Sequence, residues 1–451
     1  MKDELAAALA AARVPYAEIR FQRSWAARVR FRGRSLHETW QSDGSAGSVR
    51  CQGPGGGWGT VRFLGPADLP AQVALAAELA RAAGGAGVAP LAPIPIRELD
   101  SASPPPDDPR RISLGSRRAL VERWAQVLQA TDRRIVDSQV SLADQVMERW
   151  LVTSEGLVHH GLEAAVRVSG RATASEEGTV ESALDSVAHA GGWAGTARHE
   201  ARFRGLAERA ISLLHAAPVR PGEWAVILDP RAAAALVHAL TTWLATPPPE
   251  GGSLVPLGTR VGPECLSLGD DPTAPGLPSS RELDEEGAPG RNTVLVRNGV
   301  LVGRLHTRSS AARDGVGPTG HAWVGGDGIP RAVPGNSYLA AGSGTLPDLL
   351  AAAGTGLYLA DTTTCMLHGR RLVFRPGWAR MIRRGELAEP VKGVLISMDV
   401  LALLGRLDRV GGDFRWDDSD SWFDLGAPGC VPVSAGAPHL SFVELPVRLA
   451  A

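Results

Sequence analysis

Residues 218–230 read PVRPGEWAVILDP, and this stretch decides how the second half of the chain folds. The apolar run at 224–228 predicts a short strand. Aspartate is a favoured N-cap and proline suits the first turn of a helix, so Asp229 and Pro230 predict a helix that continues through about Ala245. The stretch is therefore a strand that passes directly into a helix.

The strongest hairpin signal lies further along, where residues 293–296 and 300–305 flank Asn298-Gly299. Asn-Gly pairs readily adopt the positive φ angles that a two-residue hairpin turn requires. Strands punctuated by glycine and proline follow, and the last is expected at 440–447. The pattern predicts a β-rich block with one long helix near its start.

The first 220 residues alternate between strand and helix patterns. Ala17, Ile19 and Phe21 alternate with polar neighbours, as in a half-buried strand. A helical face follows at 69–83, and a Gly/Pro-rich stretch at 84–109 resembles a linker. The sequence predicts an α+β fold in a mixed multi-domain chain. We expect an N-terminal α/β domain at 1–109 that ends in the Pro/Gly-rich linker, a middle α/β segment at 110–220 and a C-terminal β-rich domain at 221–451.

The charge balance excludes several classes of protein. The 451 residues carry a formal net charge of −1, so no overall field draws the chain to nucleic acid or to an anionic membrane surface. All but two of the basic residues are arginine, and neither Lys2 nor Lys392 stands in the Gly-Lys-Ser/Thr setting of a phosphate-binding loop. We expect no nucleic-acid partner, no membrane partner and no P-loop chemistry.

The four cysteines are scattered and form no C-x-x-C pair, which argues against a metal knuckle, a redox dithiol or a disulfide framework. The first residues lack the apolar core of a signal peptide, and no uncharged apolar run is long enough to span a bilayer. We therefore expect a soluble, cytoplasmic protein.

Several motifs occur in one order along nearly the whole chain. Besides residues 218–230 they are LDEEG at 283–287, GRLHTR at 303–308, NSY at 336–338, GVLIS at 393–397 and DRVG at 408–411. Together they resemble the TldD/PmbA family of peptidases. The resemblance implies that the C-terminal block is the curled-sheet domain of that family and that the chain handles peptides.

The catalytic branch of this family resembles a zinc protease. It carries H-E-x-x-x-H on the helix after the Asp-Pro-like turn, and a cysteine near the C-terminus completes the ligands. Zinc needs about three protein ligands and a water position, and a nearby carboxylate takes the proton from that water. Here the motif begins at His238, with Ala239 in place of the glutamate and Trp243 in place of the second histidine, and the cysteine position falls on Asp424. We expect no catalytic residue and no metal in this chain.

Asp424 lies in an acidic stretch with Asp417, Asp418 and Asp420. No glycine stands where a calcium loop needs one, so the run indicates a solvated acidic turn. His238 is expected to be a buried or partly buried histidine of its helix rather than a metal ligand. Neither feature predicts a metal site.

With these ligand positions altered, the sequence resembles the non-catalytic TldE/PmbA branch, whose members pair with a zinc-bearing TldD-like subunit. The resemblance implies a heteromeric peptidase that processes or degrades short unfolded peptides, with no cofactor in this chain and zinc in its partner. A dimer is expected, either hetero- or homomeric. The resemblance also places peptide contacts along a strand at 303–311 and around 336–338. The residues expected to bind peptide are Asp284, Glu285, His306, Arg308, Asn336 and Ser337.

Two alternatives stay open. In one, the chain is a stand-alone or homodimeric peptidase or amide hydrolase in which His238, Asp424 or Asp284 has taken a new role. In the other, it is a non-enzymatic peptide-binding protein of a peptide-maturation pathway. For Asp284 and its two acidic neighbours, a solvated loop before a strand is an equal interpretation.

Overall fold

The structure is a computed structural model that describes residues 1–450 except 11, 66, 85–89, 195, 248–254, 326, 420 and 425–429. The side chains of 197, 421–424, 430 and 431 also lie outside the description. None of the helices in the described residues has the length and apolar character needed to cross a membrane.

The elements of the described residues alternate along the chain. The helices are α1 (Lys2–Leu9), α2 (Leu69–Ala82), α3 (Leu114–Ala130), α4 (Glu200–Leu214), α5 (Pro230–Ala245), α6 (Arg308–Asp314), α7 (Leu346–Ala353) and α8 (Val400–Leu404). The strands of the first half are β1 (Tyr16–Arg32), β2 (Ser35–Gln52), β3 (Trp58–Leu64), β4 (Glu98–Ser101), β5 (Ile135–Thr153), β6 (Val158–Glu176), β7 (Thr179–Ala190), β8 (Ala217–Pro218) and β9 (Gly222–Leu228). Those of the second half are β10 (Leu268–Asp270), β11 (Thr293–Arg297), β12 (Val300–Leu301), β13 (Ala322–Val324), β14 (Pro330–Ala332), β15 (Asn336–Leu339), β16 (Gly356–Ala360), β17 (Thr364–His368), β18 (Arg371–Arg375), β19 (Trp378–Arg383), β20 (Glu386–Lys392), β21 (Val394–Asp399), β22 (Leu407–Val410), β23 (Arg415–Trp416), β24 (Ser421–Asp424), β25 (Cys430–Ala437) and β26 (Leu440–Leu449).

The first large sheet is shared by the N-terminal and middle segments. Its strands run in the order β3-β2-β1-β5-β6-β4, and β7 pairs with β6. β1 and β5 pair antiparallel, from Glu18 opposite Thr153 to Arg32 opposite Gln139. The boundary expected at 109/110 therefore does not separate two sheets, because strands from both sides of it are hydrogen-bonded to one another.

Two pairs of helices pack on this sheet. α1 and α2 enclose one core with β1 and β2, and α3 and α4 enclose another with β5 and β6. In the second core the rings of Trp124 and Phe203 lie 5.3 Å apart. A Cβ on Gly59 of β3 would lie 2.1 Å from the carbonyl oxygen of Ala76, so α2 rests directly on the strand only because that position is glycine.

α5 lies between the two large sheets of the C-terminal domain. Over the described residues, one sheet has the order β17-β18-β21-β26-β9-β16-β19-β20-β8 with β22 on β26, and the other has β12-β11-β10-β15-β25-β23 with β24 on β25. Leu236 and Leu240 of α5 share one core with Val226 of the first sheet and Leu339 of the second. A helix that is apolar on most of its faces is typical of such a buried position. The few polar side chains of α5 are therefore fixed inside the domain.

The local predictions around α5 are confirmed. β9 passes into α5, and Oδ1 of Asp229 accepts a hydrogen bond of 2.7 Å from the backbone N–H of Ala232. Asn298 and Gly299 have φ angles of 49° and 79°, as a type I′ turn between β11 and β12 requires. The predicted α+β class is confirmed.

The prediction of a strand at 303–311 is wrong. β12 ends at Leu301, and Arg308–Asp314 form α6. The side chains and backbone N–H groups of Thr307 and Ser310 form a reciprocal capping box, and Gly315 ends the helix with a φ of 68°. These start and stop signals outweigh the apolar alternation before them.

Candidate functional site

A polar cavity of about 450 Å³ lies beside the helix that carries the altered motif, and we call it the α5 cavity. Arg231, Ala234, Ala235 and His238 of α5 line it; their spacing of i, i+3, i+4 and i+7 places them on one helical face. The other walls are formed by residues 184–186, 361–365, 377, 417, 419 and 433–435.

Of the motif positions, His238 lines the α5 cavity, whereas Ala239 and Trp243 do not. Ala239 is 9% exposed, and Trp243 packs against the core between the two sheets. Asp424 lies in β24, where its backbone pairs with Cys430 of β25, and its side chain is outside the described residues. The altered motif therefore brings one imidazole to the cavity.

Burial lowers the pKa of His238 to about 4, although the charge of Asp270 opposes the shift. The imidazole is therefore neutral at pH 7. The carbonyl oxygen of His238 accepts a hydrogen bond of 2.9 Å from Oγ1 of Thr242. A neutral imidazole is the form that binds a metal, but zinc needs about three protein ligands.

The described residues do not supply the further ligands that zinc needs. Among them, no three His, Cys, Asp or Glu side chains are grouped so that they could hold a metal ion. Cys365 lines the α5 cavity, but burial raises the pKa of its thiol to about 12, so the thiol is protonated. With Ala239 at the glutamate position, these residues fit neither a zinc ion nor the general base of a zinc protease.

The arginine of the α5 cavity is fully paired. Nη1 of Arg231 lies 3.0 Å from Asp185 and 2.8 Å from Asp361, and its Nε lies 3.0 Å from Asp417. Burial alone would lower the pKa of Arg231, but the three carboxylates raise it above its ordinary value. The cation is thus part of a network that holds the cavity walls together.

Asp185 is the centre of that network, because it also accepts hydrogen bonds from Arg202 and Arg209. Burial alone would raise its pKa, but the hydrogen bonds from Arg202 and the charges of the three arginines hold the pKa below its ordinary value. The carboxylate is therefore ionised and bridges β7, α4 and α5.

The acidic stretch near β24 differs in part from the solvated turn that was predicted. The side chain of Asp417 is 10% exposed and paired with Arg231, so the prediction is wrong at this residue. Asp418 is half exposed and pairs with Arg202. Asp420 lies outside the described residues.

One wall of the α5 cavity belongs to an edge strand. β17 ends the order of its sheet, and among the described residues β18 is its single strand partner. Thr364 and Cys365 of β17 line the cavity. An edge strand carries unpaired N–H and C=O groups along one side, and an extended peptide can pair with them.

The acidic loop at 283–287 is buried at two of its three carboxylates, so its interpretation as a solvated loop is wrong. Asp284 is 2% exposed, and its carboxylate accepts hydrogen bonds of 2.9 Å from the N–H groups of Glu286, Ala288 and Ala322. Burial raises the pKa of Asp284. Because its oxygens are used to fold the loop, Asp284 has a structural role.

Arg308 is also buried and bonded within the chain. Its Nη1 and Nη2 donate to the carboxylate of Glu155 at 2.8 and 2.9 Å, and its backbone N–H donates to Glu286 at 2.6 Å. Burial, together with the charge of Asp284, raises the pKa of Glu286 to about 7. Arg308 therefore ties α6 to the loop that follows β5.

His306, Asn336 and Ser337 are buried as well. Nδ1 of His306 lies 3.3 Å from Oγ of Ser310, and Oγ of Ser337 donates to Asp270 at 2.8 Å. Nδ2 of Asn336 donates to a backbone carbonyl at 2.8 Å. β15, which carries Asn336 and Ser337, is paired on both sides, with β10 and with β25, so it has no free edge for a peptide.

Glu285, in contrast, lines a second cavity of about 310 Å³ that lies between the first sheet and two further segments, residues 281 and 283–285 and residues 323–325 with Gly328. Its carboxylate accepts hydrogen bonds from Arg149 at 3.1 Å and from the N–H of Val324 at 2.6 Å. We call this the arginine cavity. Arg281 and Trp323 lie in its wall, and neither was predicted to be a site residue. Arginine is so common in this sequence that Arg281 forms no recognisable motif, and only its burial in the structure distinguishes it.

Comparison with known proteins agrees with this architecture. The sequence model of the PmbA/TldA metallopeptidase central domain matches residues 107–217, and that of the C-terminal domain matches residues 221–448. The chain belongs to the PmbA/TldD family.

Curated proteins are similar to this PmbA/TldD chain in sequence, and a solved structure is similar to it in fold. A metalloprotease of Synechocystis sp. is 29% identical over 440 residues, which cover 96% of this chain and 94% of the relative. A metalloprotease TldD homolog of Haemophilus influenzae is 27% identical over 205 residues, which cover 42% of this chain and 40% of the relative. The crystal structure of TldE from Thermococcus kodakarensis covers 100% of both chains with a TM-score of 0.76 at 17% identity, which shows a shared fold.

Proposed function

We propose that this chain is the non-catalytic, TldE/PmbA-like subunit of a heteromeric zinc metallopeptidase that processes or degrades short unfolded peptides. The zinc is held by a TldD-like partner subunit. The observation that carries the proposal is the altered helix: α5 keeps His238 beside a cavity, but Ala239 and Trp243 occupy the positions of the base and the second ligand. Membership of a metallopeptidase family supports the reaction class.

The part that this chain plays is to bind and position the peptide. The free side of β17 offers backbone groups that pair with an extended strand, and hydroxyl groups at 362–364 and 434 line the adjoining cavity. Backbone pairing depends little on side-chain identity, which suits unfolded peptides of varied sequence. Of the six residues assigned to peptide binding from the resemblance, Glu285 is the one whose side chain contributes to a cavity wall without being fully buried.

Coexpression with a TldD-like chain from the same host, one that carries an intact H-E-x-x-x-H, tests the proposal. We expect the two chains to co-purify, zinc to be stoichiometric with the TldD-like chain, and peptide hydrolysis to require both. Hydrolysis by this chain alone contradicts the proposal. Recovery of a precursor peptide without a TldD-like chain favours the peptide-binding alternative instead.

His238→Ala separates the proposal from a stand-alone peptidase with a rearranged site. We expect kcat of the heteromer to change by less than about twofold, since His238 performs no chemistry in this account. His37→Ala, at an exposed histidine of β2 that lines neither cavity, is the matched control and is expected to leave kcat unchanged. A large loss of kcat in His238→Ala with an unchanged melting temperature contradicts the proposal.

A further inference from the structure

The arginine cavity contains hydrogen-bond donors that have no acceptor. Nε, Nη1 and Nη2 of Arg281 are all shielded from solvent, and none has a hydrogen-bond partner in the described part of the chain. Nη2 of Arg20 and Nε1 of Trp323, which also line this cavity, are in the same state. Elsewhere in the described residues, a buried arginine lacks a partner at no more than one of its nitrogens.

Arg281 is held in position although its hydrogen bonds are unused. Its guanidinium carbon lies 4.1 Å from the ring centroid of Trp323, a cation–π contact, and Trp323 itself is 3% exposed. Burial lowers the pKa of Arg281 to about 10, against the opposing charges of Asp284 and Glu285. A stacked guanidinium with all its N–H groups free is a fixed fork that matches the two oxygens of a carboxylate.

The charges around the cavity favour a singly charged ligand. Of the arginines in the cavity wall, Arg20 is paired with the buried Glu18, and Arg149 with Glu163 and Glu285. The guanidinium of Arg281 has no hydrogen-bond partner in the described part of the chain. The carboxylates are already engaged: Asp284 by backbone N–H groups, and Glu285 by Arg149. A monoanion neutralises the unpaired guanidinium of Arg281, whereas a dianionic phosphate would place an uncompensated negative charge beside Asp284 and Glu285.

We propose that the arginine cavity binds the carboxylate group of a small ligand, which accepts hydrogen bonds from Arg281, Arg20 and Trp323. The rings of Phe21 and Trp150 in the cavity wall provide an apolar surface for the rest of the molecule. The volume of about 310 Å³ is at the lower end of the range for small-molecule sites. Carboxylate binding here is independent of the proposed subunit role.

Calorimetric titration of the full chain with benzoate and with benzamide tests the proposal, because the two molecules share their shape and differ in charge. We expect saturable binding of benzoate at one site per chain and binding of benzamide about tenfold weaker or more. Arg281→Gln is expected to weaken benzoate binding about tenfold or more, and Trp323→Phe, which keeps a ring but removes the N–H, to weaken it a fewfold. Arg383→Gln, an exposed arginine paired with Glu389, is the matched control and is expected to change nothing.

Several results would overturn the proposal. One is equal binding of benzoate and benzamide; another is benzoate binding that survives Arg281→Gln. Binding of inorganic phosphate in preference to benzoate would refute the choice of a carboxylate, and absence of saturable benzoate binding up to the solubility limit would show that the cavity is not a carboxylate site. If Arg281→Gln does not fold, as judged by circular dichroism, Trp323→Phe and the benzamide comparison still decide the question.

Discussion

The two cavities of this chain differ in how their arginines are paired. In the α5 cavity, Arg231 contacts Asp185, Asp361 and Asp417, so its charge is compensated within the fold. In the arginine cavity, the guanidinium of Arg281 has no hydrogen-bond partner among the described residues and stacks on the ring of Trp323. The first cation is part of the architecture. The N–H groups of the second are free to bind the carboxylate ligand proposed above.

An arginine in a cavity wall is therefore not by itself a sign of ligand binding. A paired arginine stabilises the elements that it joins, and removing its partner leaves a buried charge uncompensated. A stacked, unpaired arginine contributes little to the fold and is costly to keep dry, which points to a ligand. The two cavities should therefore respond in opposite ways to substitution.

Among substitutions in the two cavities, the largest expected effect is in the α5 cavity, where the arginine is paired. Asp185→Asn removes the charge shared by Arg202, Arg209 and Arg231, and we expect the free energy of unfolding at pH 7 to fall by about 2–3 kcal/mol. The measurement is urea denaturation followed by circular dichroism.

The matched control for Asp185→Asn is Asp408→Asn, because Asp408 is an exposed carboxylate paired with its neighbour Arg409. Exposed pairs contribute little, so the control is expected to change the free energy of unfolding by less than about 0.5 kcal/mol. Equal effects of the two substitutions would show that the network around Arg231 does not hold the cavity together.

The next effect depends on pH. The pKa of His238 is about 4 in the folded chain, below its value when unfolded, so its neutral form stabilises the fold above about pH 6.5 and this stability is lost as the pH falls toward 4. Between pH 7 and pH 5 the wild type should lose about 2 kcal/mol more of its free energy of unfolding than His238→Gln. Urea denaturation at both pH values measures the difference.

His37→Gln provides the comparison for that pH series, because His37 is exposed on β2. We expect the His37→Gln chain to keep the pH dependence of the wild type. If His238→Gln also keeps it, then the imidazole of His238 is solvated, and the α5 cavity is wetter than the structure indicates.

The smallest expected effect on stability is in the arginine cavity, where Arg281 is unpaired. Arg281→Met removes a cation that makes no hydrogen bond, so we expect the free energy of unfolding to change by less than about 1 kcal/mol. Arg117→Met is the contrasting variant, because Arg117 and Asp144 form a salt bridge in which neither side chain is exposed. It should cost about 3–5 kcal/mol. A loss of that size in Arg281→Met would show that Arg281 is structural.

Short-range signals in the sequence predicted the elements around α5 well. The Asp229 cap, the proline after it and the Asn298-Gly299 turn act within a few residues, so their patterns determine the local backbone. The capping box at Thr307 is equally local, and its Thr-x-x-Ser spacing was available as a signal for α6. The motif positions His238, Ala239 and Trp243 could likewise be read directly from the helix.

Long-range pairing could not be predicted in the same way. Arg231 meets Asp185 across 46 positions, and Arg308 meets Glu155 across 153. Local sequence patterns do not show which distant residues will pair. The buried carboxylate of Asp284 could therefore be interpreted as part of a solvated loop. For the same reason the sequence could not indicate Arg281, which differs from Arg231 and Arg308 because its guanidinium has no hydrogen-bond partner among the described residues. Nor could the sequence indicate the pairing of β1 with β5, which joins two expected domains in one sheet.

The most direct test of the central claim, that α5 has lost its metal site, is the zinc content of the full chain purified alone, incubated with zinc and desalted. We predict far less than one zinc ion per chain, and the same residual amount in His238→Ala. One tightly bound zinc ion per chain that disappears in His238→Ala would contradict the account.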